Sequence, residues 1–201
     1  MRKTIDGLKI DIPKEVYDPA EDSFLLAENV FLKENQKILE VGSGSGYVSI
    51  FLSQKFPNNE FFCLDINFYA AQITKKNSSS NNESIEVINS DLFTSFKKIS
   101  KSEGLFDIIL FNTPYLPVID DGILAQAWSG GKDGLGVISR FIEKLSDYLK
   151  KSGSCYLVVS SYTNLQELMK QITNQNLISQ RIDQVIVSNE HIILYKISFK
   201  N

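Results

Sequence analysis

Apolar positions along this chain follow two periods, and the period switches repeatedly. Ile38, Leu39 and Val41, then residues 61–64, then 106–111 are short apolar runs bounded by turn residues, as buried strands are. Residues 85–89 alternate apolar and polar, as a half-exposed strand does. Helical segments lie between. One carries Val48, Ile50, Phe51 and Leu52 and stops before Pro57, and a polar one runs from about Phe68 to Asn77. The composition of residues 77–83 predicts a loop, and a short helix is expected ahead of the 106–111 strand. The clearest helix has Val137, Ile138, Phe141, Ile142, Leu145, Tyr148 and Leu149 at helical spacing. Arg140, Glu143, Lys144 and Lys150 face outward from it, and Ser152-Gly153 ends it. Residues 155–160 form another buried strand. Thr163 and Gln166 have capping-box spacing for a helix to about Thr173. Two strands follow, at about 178–187 and 191–199, joined as an antiparallel hairpin by Ser188-Asn189.

The first 16 residues alternate loosely around Gly7, with Ile5, Leu8, Ile10 and Ile12, and predict a short hairpin or arm. Asp18 and Glu21 have capping-box spacing, with Pro19 at the first helical position. That helix runs to about Leu32, with Phe24, Ala27, Val30 and Phe31 inward. Tyr17, Asp22 and Ser23 add polar groups that capping does not need. Strands alternating with helices, then a terminal antiparallel hairpin, predict a single α/β domain over 1–201. Its arm and first helix are 1–33 and its core 34–201. The sheet is doubly wound, seven-stranded and mostly parallel, of order 3-2-1-4-5-7-6.

Candidate chemistry gathers at the carboxyl ends of the central strands, where such sheets bind ligands. The first core strand runs into Gly42-x-Gly44-x-Gly46, the second ends at Asp65, the third leads to Asp91-Leu92, and the fourth ends at Asn112. The glycine pattern is one residue short of the dinucleotide fingerprint, and Tyr47 stands where its third glycine would be. Glu40 precedes the loop. An acid, a glycine loop and a ribose-accepting Asp65 point to S-adenosylmethionine, a cation without phosphate. Glu40 as a strand-end ion pair and Asp91 as a helix cap are the plainer alternatives. Asn112-Thr113-Pro114-Tyr115 brings an amide, backbone carbonyls and a ring to the same rim, a set that suits a small planar amide or amidine.

Composition narrows the field. The net charge of -3 and pI near 5.3 argue against a chain that embraces long nucleic acid by itself. Cys63 and Cys155 lie in apolar runs and read as buried free thiols, and His191 is the single histidine, so zinc and His-based nucleophilic catalysis are not expected. Without a long apolar run or a signal-peptide pattern, a cytoplasmic protein is expected.

Three blocks carry a family resemblance: VYDPAEDSFLL at 16–26, LEVGSGSGYVS at 39–49, and NTPYLP at 112–117 with AWSGGKDG at 127–134. The chain resembles class I methyltransferases that carry Asn/Asp-Pro-Pro-Tyr/Phe and methylate planar amino groups. Within them it is most similar to the HemK-like glutamine methyltransferases of archaeal and eukaryotic class I translation release factors. Bacterial release-factor enzymes resemble it in the core and carry a separate helical N-terminal domain, for which the stretch before the first core strand leaves no room. The resemblance implies a cofactor-binding set of Tyr17, Ser23, Glu40, Gly42, Gly44, Gly46, Asp65, Asp91, Leu92 and Asn112. It implies Asn112, Thr113, Pro114 and Tyr115 as the catalytic motif, with Leu116 also holding the substrate. Thr113 stands where the family has its first proline, whose carbonyl is what the family uses. Trp128 belongs either to a loop closing over substrate or to one anchored by a single Trp. The resemblance also implies a small zinc-binding activator as heterodimer partner, for which residues 85–89 at the sheet edge suit β-augmentation. Adenine N6, a protein lysine, and a non-catalytic cofactor-binding module are the alternatives that the same residues leave open.

Overall fold

A computed structural model describes residues 1–96, 104–122 and 124–200. Nine strands and five α-helices alternate along them. The core sheet comprises β3 (Lys37–Val41), β4 (Glu60–Asp65), β5 (Ile85–Asn89), β6 (Phe106–Asn112), β7 (Leu149–Ser160), β8 (Leu177–Val187) and β9 (Glu190–Phe199). Its order is β5-β4-β3-β6-β7-β9-β8, the predicted 3-2-1-4-5-7-6. The first five strands of that order are parallel, and β9 runs antiparallel to β7 and β8. β3 lies inside the sheet, next to the central β6, because Ile38, Leu39 and Val41 are apolar on both faces, and β5 lies at an edge, where its alternating pattern leaves one face half-exposed.

Helices α1 (Glu21–Asn29), α2 (Tyr47–Lys55) and α3 (Phe68–Ser80) pack as neighbours, and α4 (Gly136–Tyr148) packs with α5 (Leu165–Asn174). The α4 layer is locked by aromatic stacking. Phe93 lies 4.4 Å from Tyr148 and 5.4 Å from Phe141 between ring centroids, contacts worth about 0.5–1.5 kcal/mol each beyond burial. Phe93 belongs to a 3-10 turn, Leu92–Ser95. This turn stands where a short helix is expected before β6, and it ends at Ser95, with Phe96 extended; residues 97–103 lie outside the described residues.

The arm is a hairpin of β1 (Arg2–Ile5) and β2 (Leu8–Asp11). Two side-chain amides on α3 treat β2 as a strand partner. Asn77 accepts from the Asp11 N–H at 3.0 Å and donates to its carbonyl at 2.9 Å. Asn81 does the same to Lys9, both at 2.9 Å. This explains one departure from the sequence reading. Residues 77–80 are helical rather than loop, because Asn77 and Ser78 are buried and bonded across the fold.

Other boundaries also shift. α1 starts at Glu21 with no side-chain cap, and Asp18 pairs with Lys3 instead. It ends at Asn29, beyond which Val30 and Leu32 are buried from extended chain while Phe31 is 76% exposed. α4 ends at Tyr148, so Ser152-Gly153 lies within β7 rather than ending the helix. A side chain at Gly153 would press on the Asp107 carbonyl, 2.8 Å away, and Lys150 pairs with the Asp107 carboxylate. The cap of α5 is Asn164, whose side chain accepts from the Glu167 N–H, and not Thr163. Cys63 and Cys155 are free and buried as expected. Among the described residues no helix is long and apolar enough to cross a membrane, and no His/Cys/Asp/Glu group could hold a metal ion.

Candidate active site

The carboxyl ends of β3, β4 and β6 open into one pocket, roofed by the 15–19 segment and by Leu124, Gln126 and Ala127 of the long loop. The glycine loop forms its floor. Gly46 caps α2 at φ +83°, and a Cβ there would lie 2.9 Å from Thr74 Cγ2, so no other residue fits. The loop amides are occupied internally. Gly42 and Ser43 donate to the Leu64 carbonyl, Gly46 to that of Ser43, and Gly44 to Asp65 Oδ2 at 2.8 Å. These four amides are therefore not free to grip a pyrophosphate. Four acids, Glu15, Glu40, Asp65 and Asp91, line the pocket, and its one cation among the described residues, Arg140, is held by Asp91 at 2.5 Å. A phosphate-free, positively charged nucleoside is the chemistry these walls accept.

Burial sets the charge state of two of the acids. It pushes Asp65 up to about 6, against the two backbone N–H bonds from Gly44 and Asn67. It pushes Glu40 up to about 7, although Ser49 bonds the carboxylate from its amide and hydroxyl. Burial also drives the Tyr17 and Tyr115 phenols well above their ordinary value, with the Asp22 carboxylate as the next cause. Both phenols stay protonated and donate to Asp22 Oδ2, at 3.1 and 3.3 Å.

Asn112 ends β6 on the opposite wall. Its Nδ2 donates to Ser23 Oγ at 3.3 Å. Its Oδ1 is buried without a partner. Among the described residues three other buried side-chain oxygens share that condition, and Asn112 alone of the four lines this pocket. An unpaired buried carbonyl costs about 1–3 kcal/mol, so the fold holds a vacancy for an N–H donor beside the nucleoside pocket.

The methyltransferase small domain model matches residues 16–187. The chain belongs to that family. A Methanocaldococcus jannaschii protein assigned by name as a protein N5-glutamine methyltransferase is 40% identical over 84% of this chain and 84% of its own. The eRF1 methyltransferase catalytic subunit mtq2 of Schizosaccharomyces pombe is 32% identical over 77% of each. Among solved structures, a chain of the E. cuniculi Mtq2–Trm112 complex, described as responsible for methylating the termination factor eRF1, superposes with a TM-score of 0.73 at 21% identity. It covers 92% of this chain and 99% of that one, and shows the same fold.

In this methyltransferase the pocket brings together Tyr17, Ser23, Glu40, Gly42, Gly44, Asp65, Asp91, Leu92, Asn112 and Pro114 of the predicted residues. Gly46, Thr113, Tyr115, Leu116 and Trp128 do not line it. Gly46 shapes the loop, and Tyr115 points its hydroxyl back to Asp22. The Thr113 hydroxyl donates to the Val158 carbonyl at 2.7 Å, tying the motif to β7 where a proline ring would have stiffened it. Leu116 and Trp128 brace the long loop: the Trp128 carbonyl accepts from the Leu116 amide, and the indole donates to Asp120 at 2.8 Å. Leu124, Gln126 and Ala127 reach the pocket instead.

Arg140, read from sequence as outward-facing, lines the pocket against Asp91. Asp22 was not among the predicted site residues. Its excess polarity in the first turn of α1 was the available signal, and its partners Tyr115 and Ser23 show where it acts.

Proposed function

We propose that this methyltransferase transfers a methyl group from S-adenosylmethionine to the side-chain amide nitrogen of the glutamine in the Gly-Gly-Gln motif of a class I translation release factor. The observation that carries this reading is the partnerless Asn112 oxygen on the rim shared with the acid-lined, phosphate-excluding pocket. The relative at 40% identity named as a protein N5-glutamine methyltransferase, and the one at 32% named as an eRF1 methyltransferase subunit, support the acceptor class.

The donor supplies an electrophilic methyl on a sulfonium. Asp65 would hold the ribose hydroxyls, Leu92 the adenine beside the Asp91–Arg140 pair, and the acids as a group would balance the positive charge. The acceptor amide is a weak nucleophile, because its lone pair is delocalised into the carbonyl. Asn112 Oδ1 accepts one of its N–H bonds and the Thr113 carbonyl the other. Both shift density onto nitrogen and aim it in line, while Tyr115 packs against the amide plane. The sulfur–carbon bond breaks as the nitrogen–carbon bond forms, and the nitrogen then loses one proton to water. Catalysis comes from proximity and orientation rather than from a strong base.

The whole chain, 1–201, works as one unit in the cytoplasm, with 1–33 closing the pocket of the 34–201 core. Its partner is a small zinc-binding activator added at the β5 edge. Supporting this, β5 has a free edge, and Ile66, Phe68 and Tyr69 beside it are 51%, 56% and 46% exposed, a sizeable apolar patch next to the pocket mouth.

Labelled S-adenosylmethionine, presented with release factor and with its Gly-Gly-Gln glutamine replaced, tests the reading. Label should enter the intact factor alone, more strongly with an activator present. Equal labelling of the replaced factor, or labelling of DNA, tRNA or lysine instead, overturns it.

A further inference from the structure

Ser23 has one proton to give. Its Oγ lies 3.1 Å from Asp22 Oδ1 and 3.3 Å from Asn112 Nδ2. A carboxylate oxygen can only accept, so the serine proton goes to Asp22 and only lone pairs face Asn112. The Asn112 amide then has one orientation in which it is bonded: nitrogen toward Ser23, oxygen away. The other orientation would set the Asn112 oxygen against a hydroxyl oxygen without a proton between them, and would aim an N–H₂ at the acceptor's own N–H₂. The same carboxylate also receives the Ser23 amide at 2.6 Å and the hydroxyls of Tyr17 and Tyr115. Asp22, Ser23 and Tyr115 are all buried, so water does not compete for these bonds.

We propose that Asp22 and Ser23 are positioning residues that set the flip of the Asn112 amide, so that its oxygen, and not its nitrogen, meets the substrate. Asp22 and Ser23 thereby fix two members of the Asn112–Tyr115 motif from α1, with Ser23 lying 89 residues before Asn112 and Asp22 93 residues before Tyr115. This deepens the glutamine reading and rests on it for its kinetic test. It gives Ser23, which lines the cofactor pocket, a second role toward Asn112.

Ser23→Ala, Ser23→Thr and Asp22→Asn separate the possibilities. Ser23→Ala removes the acceptor that holds Asn112 Nδ2. Its kcat on release factor should fall about 10²-fold, the scale of a misaligned reacting group. Ser23 also lines the cofactor pocket, so the Kd for S-adenosylhomocysteine is measured alongside, and the fall in kcat at saturating cofactor should exceed the rise in Kd by about tenfold or more. Ser23→Thr keeps the hydroxyl and should restore kcat. Asp22→Asn offers a donor where only an acceptor stood, and should lower kcat with cofactor binding retained. Independently of substrate, the side-chain amide resonance of Asn112 in ¹⁵N-labelled protein, identified by its loss in Asn112→Ala, should move in Ser23→Ala and return in Ser23→Thr. A Ser23→Ala kcat within twofold of wild type, or an unmoved Asn112 resonance, overturns the proposal. So does a loss of S-adenosylhomocysteine affinity as large as the loss of kcat, which would make Ser23 a cofactor contact only. If wild type leaves glutamine unmethylated, the functional reading fails and the amide resonance alone decides the relay.

Discussion

On the β3–β4 side of the rim, the amides of Gly42, Ser43, Gly44 and Gly46 are all bonded within the protein. On the β6 side, the Asn112 oxygen faces no donor among the described residues. The first wall has these four amides committed before any ligand arrives, and its acids select against phosphate by charge. The second wall is left one hydrogen bond short, and that deficit is where a substrate N–H gains most. Binding and chemistry are thus divided between a saturated loop and an unsaturated strand end, and substitutions on the two walls should fail in different ways.

Asn112→Ala should give the largest effect. Methyl transfer should fall by about 3–4 kcal/mol in transition-state stabilisation, as when other preorganised polar groups are removed. S-adenosylhomocysteine affinity by calorimetry should stay within about tenfold of wild type, since a single neutral hydrogen bond is worth about 1 kcal/mol. Parallel losses of both would merge the two walls and sink the division. Asp65→Ala should show the converse. Cofactor binding should weaken by about 1.5–3 kcal/mol, the range for hydrogen bonds to a charged group, with kcat at saturating cofactor much less affected.

Acidity sharpens the same contrast. Burial holds Asp65 near 6 and Glu40 near 7, above ordinary carboxylates. The folded protein therefore binds protons that the unfolded chain has released between about pH 4 and pH 7. From these two groups, stability falls as pH rises through that window. Affinity for a cationic donor should move the other way, rising as the acids ionise, by up to about tenfold per pH unit below pH 6 for one group. Thermal melts of wild type against Asp65→Asn, and calorimetry across pH 5–8, test both signs. Affinity that stays flat across pH would show that the pocket acids do not face the cation. The smallest effect should come from Thr113→Val, which removes the hydroxyl's bond to the Val158 carbonyl at a cost of about 0.5–1.5 kcal/mol. It should lower Tm by a few degrees and kcat only modestly, and cofactor affinity should not move.

The strand order and the rim were legible in the sequence because both rest on local signals: apolar runs, the glycine spacing, and an acid or amide at each strand end. What escaped was held across distance. Asp18 has capping spacing, yet it pairs with Lys3 from the arm. The polar run at 77–80 is helical because β2 offers Asn77 a strand edge. Arg140 sits on the polar side of an amphipathic helix, and that side faces a pocket whose far wall, Asp91, supplies its partner. Asp22 stands out in the sequence as a polar group beyond what capping needs, and only the fold shows that Tyr115 rests on it. Propensity and periodicity describe a residue's own turn or strand, and these four residues answer to neighbours from elsewhere in the fold.

The arm's attachment also bears on how the protein is made. β2 is bonded to amides 66 and 72 residues further along the chain, and Asp22 closes on a tyrosine 93 residues on. The segment that ends as the pocket's roof is synthesised early and has nothing to close on until α3 and then β6 have left the ribosome. At about 5–20 residues per second, it stays open for several seconds at the least. During translation the two walls must therefore meet before the roof can settle over them.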